Sequence, residues 1–194
     1  STIGREIMDT PGTALFGIDK GTDPLKVVLP SFAIKNISQT SPVAALANAL
    51  VVEILPNILL SASSVIEVNG LSGAIVPTSV SVNENHFCHP INTQQGQAAW
   101  DSGSNKLRMR VCANTVLQPQ TTYTLTITVQ NPVAAQSSPS ISILATTPDF
   151  DIQEAAMVKP NTALHGVPGG ANPLEVVVPT FTEAAMGQST LLPS

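Results

Sequence analysis

The amino-acid sequence predicts an all-β protein, a Greek-key β-sandwich of about seven strands, with extended Pro/Gly-rich linkers and set in a tandem array. Three observations predict it. Apolar and polar residues alternate with a period of two through several short stretches, and helical periodicity is almost absent. Clusters of Asn, Gly, Pro and Ser separate those stretches. One segment near the start of the chain recurs near its end.

The clearest strand covers residues 121–129. There Tyr123, Leu125, Ile127 and Val129 fall on a core face, and Thr122, Thr124, Thr126 and Thr128 on a face suited to water. In residues 106–111, Leu107, Met109 and Val111 alternate with Lys106, Arg108 and Arg110. Only a short loop around Gln118 and Pro119 separates the two runs, which predicts antiparallel neighbours. Further strands are expected at residues 32–37, 49–55, 64–69, 76–82 and 140–145. Turn chemistry lies between them at Pro56-Asn57, Asn69-Gly70, Ser72-Gly73, residues 102–105 and Asn131-Pro132. The Asn-, Gln- and His-rich stretch 83–100 reads as a longer loop tied down by Cys88.

Shifting the chain by 149 positions lays residues 11–32 on residues 160–181 without a gap, with 12 of 22 positions identical. Pro24, Leu25, Val27, Val28 and Pro30 recur as Pro173, Leu174, Val176, Val177 and Pro179, and Gln39-Thr40-Ser41 is echoed more weakly by Gln188-Ser189-Thr190. The period is too long for a solenoid and suits a bead with its own core. The expected organisation is a linker from a preceding repeat (1–24), a sandwich (25–147), a second linker (148–172) and the first segment of the next repeat (173–194). Leu25, Val27, Val28, Leu174, Val176 and Val177 are apolar in segments with no core of their own. They are therefore expected to pack on an adjacent bead or a neighbouring chain.

Lys and Arg number 8, and Asp and Glu 13, against 37 Ser and Thr, so hydroxyls must carry most of the surface hydration. A net charge of −5 supplies no basic patch and argues against nucleic acid as a partner. No apolar run reaches the roughly 20 residues of a spanning helix, which argues against membrane insertion. Without an initiator Met or a signal peptide, the chain reads as processed or cut from a longer polypeptide. A surface rich in Ser, Thr and Pro fits a secreted, glycan-coated protein. In that setting Cys88 and Cys112 are read as a disulfide, whose loop closure contributes on the order of 3 kcal/mol, with a pair of buried free thiols as the alternative.

Leu117, Pro119, Thr121 and Tyr123 resemble the Leu-x-Pro-x-Thr-x-Tyr tyrosine corner of fibronectin type III and immunoglobulin-like domains. That resemblance implies an immunoglobulin-like sandwich in which the Tyr123 hydroxyl bonds backbone across the corner. Residues 24–28, 32–42, 68–73 and 123–132 are similar to the immunoglobulin-like repeats of algal and protist surface and flagellar-hair proteins of mastigoneme type. This second resemblance implies an extracellular, glycosylated filament component at the cell surface, the flagellar surface included, with no chemistry of its own.

The candidate sites are sparse. There is no Gly-x-Ser-x-Gly elbow. Glu53, Glu67, Glu84 and Asp101 are scattered over different predicted elements, and His165 has Phe16 as its repeat partner, so no catalytic group is expected. His86, Cys88 and His89 lie close enough to raise a metal site. In an extended segment Cys88 and His89 point to opposite faces, however, and no second cluster completes the ligands, so no metal or cofactor is expected. Trp100 reads as a core anchor, with sugar stacking as the alternative. Asn36, in the sequon Asn36-Ile37-Ser38, is a glycan acceptor if its face of the strand is exposed. Ser41-Pro42, Ser138-Pro139-Ser140 and Thr146-Thr147-Pro148 are candidate O-linked or hydroxyproline-linked positions.

The expected function is therefore passive, a non-enzymatic repeat whose partners are other copies of itself and covalent glycans. Two competing expectations are an adhesin or carbohydrate-binding module using the loops from His86 to Trp100, and an accessory domain of a secreted glycosidase.

Overall fold

The computed structural model describes residues 8–76, 79–181 and 183–187. Among them ten strands are formed: β1 (Phe32–Gln39), β2 (Ala47–Pro56), β3 (Val65–Asn69), β4 (Ser79–Ser81), β5 (Phe87–Cys88), β6 (Gln97–Asp101), β7 (Lys106–Val111), β8 (Tyr123–Gln130), β9 (Ser142–Thr146) and β10 (Asp151–Ala156). One sheet has the order β1-β2-β8. The other runs β10-β9-β3-β7-β6-β4, with β5 paired to β7. All named strand pairs are antiparallel, and the two sheets form an immunoglobulin-like sandwich.

Binary patterning accounts for the core. Along β8, Tyr123, Leu125, Ile127 and Val129 are buried while Thr124 and Thr128 are exposed. Leu50, Val52 and Ile54 of β2 join them, packed with Ile66, Val68, Leu107, Met109 and Ile143 of the second sheet. Each such side chain contributes roughly 1.5–3 kcal/mol on burial. The corner closes as its motif implies, with the Gln118 backbone N–H donating to the Tyr123 hydroxyl at 2.7 Å.

Three sequence expectations are corrected. β7 and β8 are not neighbours, because β7 bonds β3, β5 and β6 while β8 bonds β2. The tyrosine corner carries the chain from one sheet to the other, and a short loop alone does not distinguish that path from a hairpin. The stretch 83–100 is not one loop, since it contains β5 and most of β6. In β6 the buried positions are Ala98 and Trp100, and a buried alanine gives little apolar contrast. The expected linker 148–172 holds β10, which pairs with β9 through a bulge between Ile152 and Ala155 and carries the sandwich past residue 147. That bulge breaks the period of two in an edge strand that fully buries only Ile152.

Cys88 and Cys112 form a disulfide with a Cα–Cα distance of 5.1 Å, fastening β5 to the end of β7. Trp100 is buried in the core, as an anchor rather than a platform.

Candidate segment-docking site

The two similar segments fold alike. In the first, Leu15 and Ile18 exchange backbone hydrogen bonds, and bonds follow from Gly21 to Ile18, Thr22 to Thr13, Asp23 to Lys20 and Lys26 to Asp23. All six recur 149 residues later, from the Leu164–Val167 pair to the Glu175–Asn172 bond. Phe16, Gly17, Lys20 and Leu25 have left-handed backbone, and so do His165, Gly166, Gly169 and Leu174. An L-residue resists that conformation, so Leu25 and Leu174 hold it only because the surrounding turn fixes it.

Their surroundings differ. Leu25 and Val27 are 97% and 89% exposed, whereas Leu174 and Val176 are 0% and 1% exposed. The second copy lies in a socket at one end of the sandwich. Val176 exchanges backbone hydrogen bonds with Gln136 on one flank. On the other flank Val177 donates to the Pro42 carbonyl and accepts from Ala44, as a parallel bridge to Val43.

Three buried amides form the socket's floor. Gln39 donates to the carbonyls of Gly170 and Glu175, each at 2.8 Å. Its own oxygen accepts from Leu174 N at 2.7 Å and Asn48 Nδ2 at 2.9 Å, so both donors and both acceptor positions are used. Asn48 also donates to Asn131, which is fully buried and holds the carbonyls of Ser41 and Val43. Gln136 reaches the Leu174 carbonyl at 3.0 Å. At the rim, the Ser138 hydroxyl donates to the Pro173 carbonyl and the Ser138 N–H donates to the Glu175 carboxylate. The docked segment satisfies both donors and one acceptor position of Gln39, which would be stranded without it, while Asn48 and Asn131 hold Gln39 and the flanking loop in place.

The first copy uses its other end. The Phe16 carbonyl accepts from Leu59 N at 2.8 Å, and the Phe16 ring meets Phe150 edge-on at 5.6 Å. A Cβ on Gly17 would lie 2.5 Å from Pro119 Cγ, so only glycine fits against the corner. The same end of the second copy is open, for a Cβ on Gly166 would meet nothing within 4 Å and His165 is exposed.

Of the residues expected to pack, Leu174, Val176 and, partly, Val177 are in the socket, while Leu25 and Val27 are not covered and Val28 is half-buried. The socket residues Gln39, Asn48, Asn131 and Gln136 carry no motif. The signal for Gln39 is its echo at Gln188, which lies outside the described residues together with the rest of 188–194.

The glycan candidates separate by environment. Asn36 is half-buried beside Val158 and donates to Glu53, and Pro42 is buried, with Ser41 half-buried beside it. The Ser138 hydroxyl is engaged in the socket, beside half-buried Pro139. The Thr147 hydroxyl binds Phe150 across a turn. Ser140, Thr146 and Pro148 are exposed. The acids stay apart: Glu67 pairs with Arg108 at 2.8 Å, Glu84 binds His86, and Asp101 caps its own turn through Gly103 and Ser104. Cys88 is committed to the disulfide and His89 to its loop backbone, accepting from Ile91 and Asn92.

No family model and no curated protein matches the chain. Among solved structures it is similar to an uncharacterized protein from Nocardia farcinica with an immunoglobulin-like fold, at TM-score 0.38 and 11% identity over 72% of this chain and 94% of that one. It is also similar to BslA, a bacterial hydrophobin, at TM-score 0.35 and 17% identity over 68% and 99%. A third is the second type II cohesin module from the adaptor ScaA scaffoldin of Acetivibrio cellulolyticus, at TM-score 0.32 and 8% identity over 85% and 96%. Likeness at this level assigns no function, and the fold stands on the strand pairing described above.

Proposed function

We propose that the chain is a structural, non-enzymatic repeat of an extracellular filament or cell-surface fibre, in which residues 11–30 and 160–179 are successive joints between beads of one polypeptide. One observation carries this reading. Among the described residues the first copy meets the sandwich on its Phe16–Ile18 side and through the Leu29 carbonyl, and the second on its Gly170–Val177 side, so each lacks the main contact the other has. In an array both contacts form at every joint, the Leu25 end on the bead before and the Phe16 end on the bead after. Phe181, 93% exposed, then opens the next core as the 4%-exposed Phe32 opens this one.

The disulfide supports an oxidising, extracellular setting. Glycans in this reading sit on the exposed positions Ser140, Thr146 and Pro148, which mass spectrometry of native material tests. A mastigoneme-type form of the fibre is supported by the sequence motifs alone. Electron microscopy of native material tests the whole reading: it is expected to show filaments with one bead per 149 residues, and isolated monomers would overturn it.

A further inference from the structure

We propose that the side chain at the position of Glu175, occupied by Lys26 in the first copy, decides which bead a joint accepts; this rests on reading the segment as a joint. The socket recognises the rest of the segment through features both copies share. Gln39 and Gln136 contact backbone atoms, the Ser138 hydroxyl contacts the Pro173 carbonyl, and the buried side chains Leu174 and Val176 are identical to Leu25 and Val27. Over residues 172–177 the copies differ only at Asn172, where the first has Asp23, and at Glu175. Only Glu175 makes a side-chain hydrogen bond to the socket, its carboxylate accepting from Ser138 N at 2.9 Å.

That corner of the socket suits an anion and not a cation. The Ser138 N–H is a donor. The Ser138 hydroxyl gives its proton to the Pro173 carbonyl at 2.7 Å and accepts from Lys159 Nζ at 3.1 Å, and Lys159 also holds the Pro139 carbonyl at 3.0 Å. A lysine ammonium placed there meets the Ser138 N–H, a donor, with the Lys159 ammonium bonded to the hydroxyl of the same serine. Lys26 is thus mismatched to this bead's own socket. The bead that receives the first copy presents a carboxylate or a free carbonyl where this one presents Ser138 N–H and Lys159. Neighbouring beads differ in this way, and their order along the polypeptide is written in the charge at each joint.

The test uses the full chain and amide hydrogen exchange at Val176 and Val177, with Leu125 reporting on the sandwich core. E175K is expected to speed exchange at Val176 and Val177 by about tenfold or more, since a lost charged hydrogen bond is joined by repulsion from Lys159. E175Q keeps an acceptor and stays within about threefold of wild type. K159E added to E175K restores most of the protection, and K26E, altering an exposed side chain, leaves it unchanged. E175K exchanging like wild type, or no rescue by K159E while Leu125 stays protected, overturns the charge code and leaves the docking intact. Fast exchange at Val176 in the wild type overturns the joint itself and the code with it.

Discussion

Two segments with the same hydrogen bonds and the same left-handed positions meet different fates in one molecule, one with its leucine and valine buried and the other with them in water. The shape of the segment is therefore set locally, by its turns, and not by what it packs against. Docking adds a second, separable layer built from Gln39, Asn48, Asn131 and Gln136.

That separation can be broken by substitution. The largest effect is expected from L174A, which empties a fully buried site and loosens docking by about 2–5 kcal/mol, against less than about 0.5 kcal/mol for L25A. Amide exchange at Val176 and denaturant unfolding read both, and equal costs would end the distinction. Q39A comes next. It strands the Leu174 N–H and the carbonyls of Gly170 and Glu175 at roughly 1–3 kcal/mol for each group left unpaired, seen as accelerated exchange along residues 171–177 with little change at Leu125.

A smaller pair reverses the asymmetry. G17A and G166A both place a side chain at positive φ, costing about 1 kcal/mol, but only G17A adds a clash with Pro119. Thermal melting should show G17A the worse by about 1–3 kcal/mol. The weakest lever is acid, and it acts outside both copies. Hydrogen bonds from the Ser142 hydroxyl and Asn69 amide hold the Glu154 carboxyl below the usual glutamate range. Its contribution is present above the unfolded-state pKa and fades as pH falls through the lower folded one. E154Q should flatten a slight acid sensitivity of melting while leaving exchange at Val176 unaltered.

Legibility followed apolar contrast. Strands with large alternating side chains, such as β2 and β8, are plain in the sequence, and so is the corner, because Leu117 and Tyr123 occupy fixed offsets. β6 and β10 are obscured by small residues and a bulge. The repeat itself could be read, yet the socket could not. Its amides come from β1, β2 and the segment after β8, and Asn48 and Asn131 lie 83 positions apart, so only folding gathers them. Gln39 and Asn48 also occupy inward positions of their strands, where a sequence pattern expects apolar residues.

The parallel course of Val158 beside Asn36 and of Val177 beside Val43 has a mechanical consequence. Tension between the two ends of the chain draws β1 toward its start and its parallel neighbour toward its finish, so the strands are dragged lengthwise past each other. Bonds at Lys35, Ile37, Pro42 and Ala44 then resist together instead of yielding one after another. In single-molecule pulling, such parallel pairs are expected to rupture together at high force, where a hairpin peeled from its end would unzip.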